Sequence, residues 1–255
     1  KIIINSKENE INNLLKFIRA YKINIPALYL ENSITDGKII YNITINFKDD
    51  NFNQIEIDGK IIEAELNILG KEKLESINLN FNYKDQNLEI IKLNLKYKNI
   101  GFISDKIIVN INNDLIKIKG DFENKINLNL LSNFLDYDFK KYFEEKILLS
   151  SSSNFDISLN KKFKIKNYNF SSQINIEEIK INLKNTNLKN YIIDFEDKII
   201  LKNPRLTYSI DNQNITTINI SSEYMFNEKQ KAKDISLHYS RSNSIESYKL
   251  YIDLI

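Results

Sequence analysis

The sequence predicts a mainly β protein: a long antiparallel, twisted sheet with two accessory helices. Three observations predict it. Apolar and polar residues alternate one by one along most of the chain, which puts successive side chains on opposite faces of a strand. The alternating runs recur every 9 to 15 residues with short polar turns between them, the spacing of an antiparallel meander rather than of strand–helix–strand units. Only two segments change to helical spacing.

The first of these is Ser6 to Ala20. Ser6 reads as the N-cap, Ile11, Leu14, Leu15 and Ile18 form the apolar stripe, and Pro26 lies beyond the end. Strands follow through Ile43, Ile45 and Phe47, then Ile55 and Ile57, then Leu66 and Ile68. In the next, Ile77, Leu79, Phe81 and Tyr83 alternate with Asn78, Asn80 and Asn82. Ile91, Leu93, Leu95 and Tyr97 alternate with Lys92, Asn94 and Lys96. Ile107 and Val109, Ile116 and Ile118, and Ile126, Leu128 and Leu130 complete this half. Turns are expected at Lys48-Asp49-Asp50-Asn51, Lys84-Asp85-Gln86-Asn87 and Asn112-Asn113-Asp114.

Leu131 to Leu149 reads as the second helix, with Phe134, Leu135, Phe139, Tyr142, Phe143 and Ile147 on one face. Ser150-Ser151-Ser152-Ser153 reads as a linker. Strands resume over Phe155–Leu159, Phe163–Phe170, Ile174–Leu183, Ile192–Leu201, Leu206–Ile210, Ile215–Phe226, Ile235–Tyr239 and Tyr248–Leu254. Pro204 is expected in a turn or at a strand end, because it cannot donate to a ladder. The resulting division is a helical lead-in over 1–37, a β segment over 38–130, an amphipathic helix over 131–150 and a second β segment over 151–255. The ends at Lys1 and Ile255 both read as cuts through a larger protein.

Composition narrows the function. The chain has 255 residues, of which 47 are Ile, 39 Asn and 33 Lys, against 1 Val and 3 Arg. That skew marks an AT-rich coding sequence, so the abundance of Asn and Lys carries no functional weight. An apolar content of 42% with 14 Tyr and 14 Phe is that of a folded chain. Zero Cys excludes disulfides and thiolate chemistry, and a single His argues against His-based catalysis or a His-rich metal site. Five Gly, with no glycine-rich phosphate loop, and a net charge of +2 argue against nucleotide and nucleic-acid binding.

The alternation poses a physical question. A dozen or more one-sided strands expose a wide apolar face that two helices do not cover. The sheet either folds on itself as a sandwich, closes as a barrel, or curls into a trough that holds apolar ligand. A porin-like barrel has the opposite sidedness, and no aromatic girdle is visible.

The stretch Ile25 to Leu130 resembles the AsmA-like superfamily and, within it, the YhdP-like proteins of Gram-negative bacteria. The resemblance is carried by the lead-in Leu14 to Lys22 and by Asp36-Gly37-Lys38-Ile39. It continues through the strand Ile57-Asp58-Gly59-Lys60-Ile61-Ile62-Glu63-Ala64-Glu65-Leu66, then Leu93-Asn94-Leu95-Lys96-Tyr97 and Ile116-Lys117-Ile118-Lys119-Gly120-Asp121-Phe122. It covers about half the chain, through pattern motifs rather than catalytic signatures. What it implies is a sheet curled into a taco-like hydrophobic groove. It also implies a periplasmic protein, anchored in the inner membrane by a region outside this chain, that moves phospholipid toward the outer membrane. The partners are then phospholipid acyl chains, with no catalytic residue, metal or cofactor.

On that reading Ile45, Phe47, Leu79, Phe81, Tyr83, Leu93, Leu95, Tyr97, Ile107, Val109, Ile126 and Leu128 line the groove. The residues that offer chemistry read more simply as structural: His238 has no partner motif, and Asp136, Asp138, Glu144 and Glu145 read as a solvated helix face. The glycosylation-type triplets at Asn42, Asn169, Asn214 and Asn219 are expected by chance where Asn is so frequent. The alternative from another class is a structural or adhesive bacterial surface β-repeat protein with a packed core.

Overall fold

The computed structural model describes residues 1–21, 31–48, 51–68, 72–112, 115–128, 143, 147–184, 197–227, 231–242 and 245–253. After β1 (Ile2–Asn5) and β2 (Asn9–Glu10) comes the helix α1 (Ile11–Tyr21), with a further helical turn at 31–33. Next are β3 (Ile34–Lys48), β4 (Asn51–Ile68), β5 (Glu72–Lys84), β6 (Asn87–Tyr97), β7 (Ile100–Ile111) and β8 (Leu115–Asn127). The chain continues with β9 (Leu148–Asn160), β10 (Ile165–Ile176), β11 (Glu178–Asn182) and β12 (Lys198–Ile210), then β13 (Thr216–Met225), β14 (Lys233–Ser242) and β15 (Ile245–Ile252).

Neighbours in the sheet run β1-β3-β4-β5-β6-β7-β8-β9-β10-β12-β13-β14-β15, with β2 on β3 and β11 on β12. The path ends at β1 and β15, so among the described residues the sheet is antiparallel and open, not a closed barrel. The turn expected at Lys84 to Asn87 is present, and a further one, not anticipated, joins β6 to β7. Asp85-Gln86 and Lys98-Asn99 each have left-handed backbone at both positions (φ 48° and 64°, 48° and 65°), the two-residue turn whose twist matches that of the flanking strands.

The chain forms two compact units, Lys1–Phe122 with Phe155–Lys166, and Glu123–Asn154 with Asn167–Ile255. The division passes through β8, β9 and β10, not through the serine run expected to be a linker. Ser150 to Ser153 lie within β9. The reason is pairing: Ser153 Oγ donates to Ser172 Oγ at 2.9 Å and Ser151 Oγ to Asn124 Oδ1 at 2.7 Å, so the hydroxyls are satisfied across strands rather than in turns. Leu148 and Leu149, expected to end the second helix, open the same strand. The rest of that helix, 131–142 and 144–146, lies outside the described residues.

In the first unit, α1 begins at Ile11 rather than next to Ser6. Asn9 and Glu10 pair with Ile39 and Lys38 instead of entering the helix. Ser6 is not its cap: its hydroxyl accepts from Tyr41 N–H at 2.7 Å, while its own N–H donates to Tyr41 O at 2.9 Å. The helix buries Ile11 and Leu15 against Ile39, Ala64 and Ile77. Gly37, at φ 132°, makes room for this contact: a Cβ there would lie 2.6 Å from Ala64 Cα and 2.9 Å from Ile11 Cδ1.

Three bulges adjust the faces. β4 has one extra residue between Ile61 and Ala64, β5 one between Leu74 and Ile77, and β6 one between Ile91 and Asn94. Left-handed backbone marks them at Glu63 (φ 48°), Ser76 (φ 51°) and Lys92 (φ 53°). Strict alternation would send Ile61 and Ala64 to opposite faces. The extra residue returns Ile61, Ala64 and Leu66 to one side, where all three join one apolar cluster. Bulges also bend their strands and increase the local twist.

In the second unit, Ile147, Leu149 and Ile179 form a small core flanked by Leu128, Ile174, Ile176 and Leu201. Pro204 is inside β12, not at its end. It occupies a bulge between Lys202 and Arg205, where the ladder does not call on its missing N–H. The two strands expected on either side of it are therefore one.

Candidate functional site

Register aligns apolar residues into rows across the first unit. Ile43, Ile57, Tyr83, Leu88 and Val109 pair in succession over β3 to β7. So do Tyr41, Gly59, Phe81, Ile90 and Ile107. Five strands at about 4.8 Å spacing make each row roughly 19 Å wide. The side chains of these rows are mostly half-buried, whereas Ile39, Ala64 and Ile77 in the patch under α1 are fully buried. The helix therefore covers one part of the face and leaves the rest accessible.

Beside the helix the face forms an open pocket of about 270 Å³. Its accessible lining is wholly apolar. Leu93, Leu95, Tyr97 and Ile107 line it as the sequence led us to expect. Leu74, Phe102, Ser104 and Phe122 line it too, and sequence reasoning missed them as site residues. Phe102 and Phe122 meet edge-on at 5.6 Å between centroids, and Phe122 is 6.1 Å from Phe155. Gly120 permits this aromatic wall, since a Cβ there would be 2.8 Å from Ile107 Cγ1 and 3.0 Å from Phe155 Cζ. Aromatic residues at alternating positions were the available signal for Phe102 and Phe122. Ser104 becomes visible only once register places it opposite Leu93.

One edge of the pocket is charged. Tyr97, whose ring lines it, donates its hydroxyl to Glu72 Oε2 at 2.8 Å, and Lys98 Nζ lies 3.2 Å from the same oxygen. The Tyr97 hydroxyl and then Lys98 hold the Glu72 carboxyl below the ordinary glutamate value. Hydrogen bonding to Tyr97 and then Glu72 raises the Lys98 ammonium. Other charges pair across strands, as in Lys84–Glu56 at 2.6 Å and Lys106–Glu89 at 2.8 Å. The apolar rows themselves carry none.

Ile45, Phe47, Leu79, Phe81, Tyr83 and Val109 also lie in the first unit, with Leu79 and Phe81 packed against the helix-covered cluster and Phe47 exposed. Ile126 and Leu128 belong to the second unit, where Leu128 packs on Ile147 and Ile179 and donates its N–H to Ile147 O. Ten of the twelve expected residues thus lie in the first unit and two in the second.

His238 sits in β14 opposite Asn219 and Lys249, with Nδ1 bonded to Asn219 Oδ1. Asp136, Asp138, Glu144 and Glu145 lie outside the described residues. Among the described residues no group of three or more His, Cys, Asp or Glu is placed to hold a metal ion, and no helix is long and apolar enough to cross a membrane. No protein-family model, curated protein or solved structure matches this chain.

Proposed function

We propose that the chain is a non-enzymatic segment of a periplasm-spanning protein of AsmA-like type, and that it shields phospholipid acyl chains on their way between inner and outer membranes. The observation that carries this reading is the apolar face of the first unit, covered by α1 over Ile39, Ala64 and Ile77 and open over Leu93, Leu95, Tyr97 and Phe102. An acyl chain loses about 0.8 kcal/mol for each methylene moved from an apolar contact into water. A face of this kind replaces that contact while a charged headgroup stays hydrated. Glu72 and Lys98 give the pocket a polar edge beside which such a headgroup can sit. The reading also rests on the sequence resemblance over Ile25 to Leu130. A groove, the periplasm and attachment to the inner membrane through a region outside this chain belong to the proposal.

The alternative, a surface β-repeat protein with a packed core, requires the alternating side chains to be filled in by the protein itself. Partial exposure of Leu93, Leu95, Tyr97 and Phe102 favours the first reading. The test is extraction of fluorescent phosphatidylethanolamine from self-quenched vesicles. The protein should relieve the quenching, and Leu95→Asp should abolish this while the far-ultraviolet circular dichroism of the β-sheet is retained. Quenching unaffected by the wild-type protein contradicts the proposal.

A further inference from the structure

Ser104 is 2% exposed, and its hydroxyl has no hydrogen-bond partner among the described residues. It belongs to the lining of the apolar pocket, opposite Leu93 and next in the ladder to the Leu95–Phe102 pair. Other buried serines differ in this respect. Ser153 donates to Ser172, and Ser222 donates to the carbonyl oxygens of Lys202 and Glu223. A buried hydroxyl left unbonded is unfavourable, and Ala or Val would pack at position 104 without that penalty. A serine hydroxyl has three staggered positions about χ1, so rotation about that one bond is the movement by which it would come to face an acceptor inside the pocket.

We propose that Ser104 is a specificity-determining residue. Its hydroxyl donates to an oxygen carried on the bound acyl chain, so that the pocket selects chains bearing such an acceptor over plain hydrocarbon. The inference rests on the acyl-chain reading above and adds the class of chain. Two sources supply the chemistry: a hydroxyl on the chain, or the ester carbonyl that joins the chain to glycerol.

The test is competition against a bound dansyl-labelled undecanoic acid, with two pairs of probes that each differ in one oxygen acceptor. Myristate against 3-hydroxymyristate reports the hydroxyl, and tetradecyl glycerol ether against monomyristoyl glycerol reports the carbonyl. The oxygen-bearing member of at least one pair should compete about three- to tenfold better, the range a single net hydrogen bond gives. Which pair responds identifies the source. Ser104→Ala should bring that ratio to about one, and should melt at or above the wild-type temperature. Equal competition within both pairs, or a preference that persists in Ser104→Ala, overturns the inference and leaves acyl-chain binding standing. A lower melting temperature in Ser104→Ala also overturns it, because the hydroxyl would then be bonded within the protein. If no probe displaces the dansyl chain and that chain itself fails to bind, both readings fall.

Discussion

The ring of Phe81 lies across Gly59 on the adjacent strand: a Cβ built on Gly59 comes within 2.7 Å of Phe81 Cζ and 2.5 Å of the Ile40 carbonyl oxygen. The glycine leaves a gap in an apolar row, and the aromatic ring fills it from its cross-strand neighbour. The row continues from Tyr41 to Ile107 although one of its members has no side chain.

Gly59→Ala is therefore expected to destabilise the first unit by about 1–3 kcal/mol, the usual consequence of forcing an extra methyl into a packed site. Chemical denaturation measures it. Adding Phe81→Leu should recover only part of the loss, because the contact with the Ile40 carbonyl remains.

Lys92 holds left-handed backbone at φ 53° in the β6 bulge. A side chain in that conformation costs about 1–2 kcal/mol that glycine avoids. Lys92→Gly should raise the denaturation midpoint, offset in part by added flexibility of the unfolded chain, whereas the β-branched Lys92→Val should lower it. A destabilised glycine variant alongside a neutral valine variant would contradict the bulge.

Glu72 gives a pH signature. Its carboxyl is held below the ordinary value of 4.5, first by the Tyr97 hydroxyl and then by Lys98. A carboxyl with a depressed folded pKa stabilises the fold above its unfolded value and loses that effect as the pH falls through the folded value. Wild type should exceed Glu72→Gln in stability at neutral pH, and the gap should close as the pH is lowered below about 4.5. Urea midpoints across pH 3 to 7 measure it, and added salt should narrow the gap.

The strand β15 ends the sheet path, and every one of its residues is exposed, including Tyr248, Leu250 and Ile252. Such an apolar edge is a template for pairing between molecules. Leu250→Lys should reduce concentration-dependent self-association in sedimentation velocity without altering the melting temperature by more than a few degrees.

Alternation made the strands around Phe81 and Leu95 legible, because a period of two needs only the order of apolar and polar residues. The turn at Asp85-Gln86 was legible because its polar residues tolerate left-handed backbone. The bulges at Glu63, Ser76 and Lys92 were not, since they arise from register among three strands and leave no local mark. Ser150 to Ser153 read as a linker because serine favours turns, but Asn124 and Ser172, far away in sequence, supply the partners that keep it in a strand. Ile126 lies in β8 as its alternation suggested, whereas Leu128 falls just past the strand's end, and nothing local assigns either to the second unit. Ser104 carried no signal, because its importance lies in what surrounds it.

The most direct measurement is native mass spectrometry of the purified chain, released from solution without detergent. The account predicts wild-type protein carrying phospholipid-mass adducts that organic extraction confirms as lipid, and a folded Leu95→Asp variant that carries none. Wild-type protein found bare in repeated preparations, with no phospholipid in the extract, would contradict it.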